Sequence, residues 1–188
     1  MDGAILRTVK FILQTNDKDI TLTDQDIQQP GKMITLEHTY NASPEKIWQL
    51  WTTAEGIESW WAPDGFSVKV DKLELKPEGE LIYTMTATAK PQIEFMQSAG
   101  MPLSTTSHKT FVALEPNKKI SYNSLVDFVP GKDSYNFLTV VTLEPIDANT
   151  TKVVMQMEPL HDEEWTGRLA AGRQNELNNL DTVIRSAS

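Results

Sequence analysis

The residues able to do chemistry are few and scattered. Three histidines, His38, His108 and His161, are the only imidazoles, and there is no cysteine. No two histidines stand at i, i+3 or i+4, so no helix face offers a ready pair of metal ligands. A metal site would have to be assembled across strands with carboxylates. The run His161-Asp162-Glu163-Glu164 has ligand-type side chains, but acids opening a helix answer its macrodipole. Without cysteine, thiolate zinc, an iron–sulfur cluster, a disulfide framework and a thiol nucleophile are all excluded. Serine catalysis lacks its Gly-x-Ser-x-Gly elbow; Ser98 precedes Ala99-Gly100 with no base marked beside it. There is no phosphate loop and no dinucleotide glycine pattern. Asp71 and Glu74 fall on predicted surface turns, whereas acid–base work needs one carboxylate buried. The sequence thus names no catalytic residue, no metal and no cofactor.

Charge narrows the partners. Seventeen basic against 26 acidic residues leave a net charge of −9. Such a chain is repelled by phosphate backbones, and Lys109 and Lys118-Lys119 are isolated rather than part of a basic patch. Nucleic acid and membrane insertion are not expected. The apolar runs fall short of the roughly 20 residues of a spanning helix. Asp2 stands where a signal peptide would carry positive charge, which reads as a cytoplasmic protein.

Elements must hold whatever site exists. Residues 1–30 read as an N-terminal extension ending at Pro30-Gly31, with Val9–Leu13 as an edge strand that would allow a homodimer. Residues 31–188 read as one domain. Met33–Tyr40 alternates, with Ile34, Leu36 and His38 on one face. Ser43 then Pro44 cap a helix bearing Ile47, Leu50 and Trp51, and a second short helix runs from Ala54 to Trp60. Strands are predicted over 66–73, 79–89, 108–114, 119–126, 137–143 and 153–157. Residues 90–106, with Pro91, Gly100 and Pro102, read as a long loop with one helical turn, its Ile93–Leu103 patch a candidate lid. Trp165, Leu169, Leu177, Leu180 and Ile184 recur at helical spacing, giving a long last helix over 162–185. The order is α+β: a curved antiparallel sheet wrapped around a C-terminal helix, a layout that tends to leave a cavity between them.

Ala42-Ser43-Pro44-Glu45-Lys46-Ile47-Trp48 followed by Trp60-Trp61-Ala62-Pro63-Asp64-Gly65 resembles the opening of the Activator of Hsp90 ATPase homologue 1-like domain, of the START/Bet v 1-like (SRPBCC) superfamily. Pro77-Glu78-Gly79-Glu80-Leu81, Leu114–Ile120 and Leu138–Pro145 continue the resemblance in order. It implies the helix-grip fold over about Met33 to Ile184. Two positions depart: Glu78-Gly79 replaces a common Gly-Gly, and Gly172-Arg173 replaces a Gly-Trp ahead of the helix leucines.

In that fold, Trp60, Trp61, Phe66, Tyr83, Met85, Phe95, Met96, Phe111, Tyr122, Phe137, Met155, Trp165, Leu169 and Arg173 are expected around a ligand cavity. Tyr83, Thr110, Tyr122 and Arg173 are its polar candidates. An arginine facing such a cavity needs an anion or a carboxylate beside it. The reading that follows is a non-catalytic carrier of an apolar or amphipathic small molecule. The alternatives are an Hsp90-type co-chaperone or stress-response regulator, as the family name implies, and a cyclase- or hydrolase-type enzyme. The chaperone is the weaker partner. In the eukaryotic activators a separate N-terminal domain makes a major contact with it, and thirty extra residues cannot supply one.

Overall fold

The computed structural model describes residues 32–129 and 131–187. The proposed extension and its Val9–Leu13 strand lie outside the described residues. Seven strands run in the order β1 (Ile34–Tyr40), β2 (Phe66–Leu73), β3 (Glu80–Ala87), β4 (Ser104–Glu115), β5 (Lys119–Val126), β6 (Tyr135–Asp147) and β7 (Thr150–Met157). All pairings are antiparallel, and the sheet order is β1-β7-β6-β5-β4-β3-β2. Bulges at Val70/Lys72, Phe111/Ala113 and Pro145/Asp147 bend the strands, which helps the sheet curl. Helices α1 (Pro44–Thr52) and α2 (Ala54–Trp60) follow β1, α3 (Lys90–Ser98) joins β3 to β4, and α4 (Glu163–Ser186) closes the chain. This is the helix-grip arrangement.

Local chemistry sets the helix starts. Ser43 Oγ accepts from the Lys46 amide at 3.3 Å, and Pro44 takes a position whose N–H would be unpaired anyway. Thr53 Oγ1 accepts from the Gly56 amide at 3.0 Å and so starts α2 directly after α1. Asp162 accepts from the Trp165 amide at 2.8 Å and caps α4, with Glu163 and Glu164 in the first turn.

Two stretches depart from the sequence reading. Residues 90–98 form a nine-residue helix, not one turn in a loop. Pro91 lies in its first turn, where no N–H is missed, and Met96 is buried beneath it. Strand β6 runs on through Pro145 to Asp147. Pairing with β5 has already ended at Thr142, so Pro145 lacks a neighbour on that side for its missing N–H.

The core lies between the sheet and α4. Leu177 and Leu180 are fully buried, each contributing about 1.5–3 kcal/mol. The Tyr40 hydroxyl donates to the Leu177 carbonyl at 2.9 Å, and the Asn179 amide donates to the Ala62 carbonyl at 2.9 Å. Trp51 meets Trp60 edge-on, with centroids 4.6 Å apart, and Trp60 lies tilted against Trp61 at 5.0 Å.

At the Glu78-Gly79 departure the conformational demand is visible. Glu78 takes a φ of 64°, a left-handed conformation disfavoured for a side-chain-bearing residue. A Cβ on Gly79 would meet the Glu74 carbonyl oxygen at 2.2 Å. Gly79→Ala is therefore expected to cost about 2–3 kcal/mol, whereas Glu78→Gly changes stability by less than about 1 kcal/mol. Urea unfolding of the two variants checks the contrast; equal losses would refute it.

Candidate functional site

The site follows from strand register. Along β4, Ser107, Lys109 and Phe111 point inward, alternating with residues on the outer face. Lys109 is paired with Leu81 on β3 and with Ser124 on β5, and Ser124 is paired with Phe137 on β6. One inward row therefore reads Leu81, Lys109, Ser124, Phe137. The row nearer the core reads Phe111, Tyr122, Thr139, Met157. On the helix side, the buried line is Thr166, Ala170, Arg173, Leu177, Leu180 and Ile184. Its C-terminal leucines seal the core. Its N-terminal half carries small residues and Arg173, and there a cavity of about 270 Å³ opens between sheet and helix.

The cavity wall is mainly apolar. Val126 and Phe137 come from the sheet, Leu160 from the turn before α4, Trp165 and Leu169 from α4, and Phe128 from the β5–β6 connection. Phe128 is 59% exposed and lies 5.8 Å from the Trp165 ring. Arg168 also lines the cavity; it pairs with Glu164 and stacks 5.3 Å from Trp165.

Two more cationic side chains line the cavity, both buried. Lys109 is 4% exposed, and its amine donates to Ser124 Oγ at 2.8 Å. Three ring faces surround that amine, Tyr122 at 4.8 Å, Trp61 at 5.6 Å and Tyr83 at 5.9 Å. Arg173 is 7% exposed, and its Nη1 donates to Glu176 at 2.5 Å, one turn along the helix. Its Nε has no hydrogen-bond partner among the described residues.

Electrostatics separates the two. Burial pulls the Lys109 amine well below the ordinary lysine range, the Arg173 charge pushes the same way, and Glu176 opposes both. Burial works most strongly against the Arg173 charge, but Glu176, Tyr122 and Tyr83 together more than offset it and hold the guanidinium protonated. Burial raises both neighbouring phenols, with Tyr122 pushed up to about 12. The arginine therefore has its own counter-charge, and the lysine does not.

Of the residues expected around a cavity, Tyr83, Phe137, Trp165, Leu169 and Arg173 line this one. Trp61 and Tyr122 stand one step back, as ring faces on Lys109. Trp60, Phe111 and Met155 are placed in the core instead, and Met85 packs half-buried against it. Phe66 borders a separate depression between α2, β2 and α4. Phe95 and Met96 belong to α3, and no residue of the Ile93–Leu103 stretch lines the cavity. Phe128 does line it, at an exposed position. Thr110 lies between Lys109 and Phe111 on the opposite face of β4. Ser107, Ser124 and above all Lys109 escaped the sequence reading, which treated the lysine only as an isolated base. Its signal was a lysine in phase with Phe111 on an alternating strand. Among the described residues, no group of three or more histidines and acids converges on a metal-sized site. No described helix is long and apolar enough to cross a membrane.

The lysine has a thermodynamic signature. Between its lowered pKa and the ordinary 10.5, the unfolded chain binds a proton at Lys109 that the folded chain does not. The Lys109 contribution to stability should therefore rise with pH through that window. Lys109→Met is expected to stabilise the fold by about 1–3 kcal/mol near neutrality. The gain should shrink toward pH 10.5, measured by urea unfolding across the range. A gain independent of pH would contradict this account.

The model of the Activator of Hsp90 ATPase homolog 1-like proteins matches residues 41–185. A crystal structure of a Chromobacterium violaceum protein superposes with a TM-score of 0.64 at 19% identity, over 80% of this chain and 96% of that one. The AHSA1 protein of Silicibacter pomeroyi gives a TM-score of 0.65 at 15% identity, over 83% and 99%. A solution structure from Arthrobacter aurescens gives a TM-score of 0.65 at 17% identity, over 93% and 92%. At such identities the likeness is one of fold. No curated protein matches the sequence. With the family match spanning most of the chain and the helix-grip architecture in place, the chain belongs to the Activator of Hsp90 ATPase homolog 1-like family.

Proposed function

We propose that this chain binds a small apolar or amphipathic molecule between β4–β6 and the N-terminal half of α4. Family membership supports a ligand-binding or a co-chaperone-type role. The observation that favours binding is the cavity of about 270 Å³, apolar along its wall and polar at the buried cations. Ligand sites have this composition, an apolar surround with a few polar groups that fix orientation, and drug-sized ones begin near about 300 Å³. A correspondingly small ligand fits the space. The open edge at Phe128 is the way in, since this ring is exposed and packs on Trp165 without being enclosed.

Binding would act by burying the ligand's apolar body under Trp165, Leu169 and Phe137, at about 25 cal/mol per Å² removed from water. It would favour the folded state, because the unfolded chain has no such cavity. In a thermal-shift titration with 1-octanol, a hundredfold excess over Kd should raise the melting temperature by roughly 5–10 °C. Leu169→Trp, which fills the cavity, should abolish the shift. No shift across a series of small apolar alcohols, or an undiminished one in the filled variant, would refute the reading.

A further inference from the structure

The two buried cations pose a question that an apolar ligand leaves unanswered. Lys109 has one hydrogen-bond acceptor, Ser124 Oγ, and even as a neutral amine it has a second N–H to donate. Arg173 lines the same cavity, and its buried Nε has no acceptor among the described residues. Buried donors left in this state cost free energy, and a ligand that supplies the acceptor recovers it. We propose that the ligand is a monocarboxylate with an apolar tail, its carboxylate received between the Lys109 amine and the Arg173 Nε. The inference rests on the cavity being a binding site.

Three observations select this class. The charges at the deep end are Lys109, Arg173 and Glu176, and the last two already form a pair. The remaining charge is a single positive one at most, which matches one carboxylate and not a phosphate dianion. The flanking phenols, Tyr83 and Tyr122, are held neutral and add no competing negative charge. Finally, Val126, Phe137, Leu160 and Leu169 give the wall an apolar surface on which a tail can pack. Arg168, stacked on Trp165 nearer the exposed edge, pairs with Glu164 and likewise keeps a buried Nη1 without a partner among the described residues, so it is the competing position for the head group. Burial and the Arg173 charge keep Lys109 reluctant to hold a proton in the empty site. An arriving carboxylate reverses that balance and forms a charge-assisted hydrogen bond.

The test compares octanoate with 1-octanol, which share a chain length and differ in the head group, by calorimetry on the full chain. Octanoate should bind at least about tenfold more tightly, the gain expected of one buried charge-assisted bond. Lys109→Met should bring octanoate down to the affinity of octanol or below, while Arg168→Gln leaves the preference in place. Equal affinities in the wild type would overturn the carboxylate assignment and leave the apolar-ligand reading standing. A preference lost in Arg168→Gln but kept in Lys109→Met would place the head group at the edge and overturn it likewise. Failure of both compounds to bind would overturn the binding reading itself.

Discussion

The ion pair between Arg173 and Glu176 divides the interface of helix and sheet. A helix with an unbroken leucine stripe would settle on the sheet along its whole length. Here the stripe is apolar only from Leu177 onward, and the turn before it carries a guanidinium and a carboxylate bonded to each other. That pair is self-neutralised within one helix, so it needs no partner from the sheet and tolerates burial that an isolated charge would not. Toward the C-terminus of α4 everything is close-packed core. Toward the N-terminus the helix presents Ala170, Thr166 and Leu169, and the sheet and helix stand far enough apart to leave a cavity.

The other half of the division is aromatic. A series of rings runs from Trp51 through Trp60 to Trp61, and Trp61 approaches both Tyr83 and Tyr122. Large rigid rings occupy volume at small entropic cost, so they fix the floor on which Lys109 rests. The Trp60 indole donates to the Leu50 carbonyl at 2.9 Å, which ties the series to α1. The position of the lysine amine is thus set by Trp61 just after α2, Tyr83 on β3, and Tyr122 and Ser124 on β5.

Much of this architecture was written in local patterns. Alternation marked the strands, because one face of the sheet is buried and the other is not. Ser43-Pro44 marked the start of α1 for a stereochemical reason that needs no tertiary information. Arg173 stood out as a charge near an apolar stripe. What local patterns could not carry is register. Lys109 matters because β4 and β5 place it opposite Ser124 and within reach of Tyr122, and nothing within a few residues of position 109 says so. The same limit hid α3, where Pro91 looked like a breaker until its place in the first turn was known. It also dispersed the expected cavity residues, since an aromatic on an inward face lines the core or the cavity according to the row it joins.

The sheet order has a consequence for how the chain reaches this state. Strands β2 to β7 follow one another as neighbours, so each pairing closes a short stretch of chain apart from the longer excursion through α3. Strand β1 is different: it pairs with β7, Ile34 opposite Met157, and Tyr40 reaches the α4 backbone across a separation of 137 residues. Closure over such a separation is slow relative to local pairing, because loop entropy must be lost before the contact rewards it. Emerging from the ribosome, the first described strand must wait for nearly all of the rest. Until β7 and α4 are made, Ile34, Leu36 and Tyr40 lack the surface they are buried against, and the growing chain carries an unpaired apolar strand.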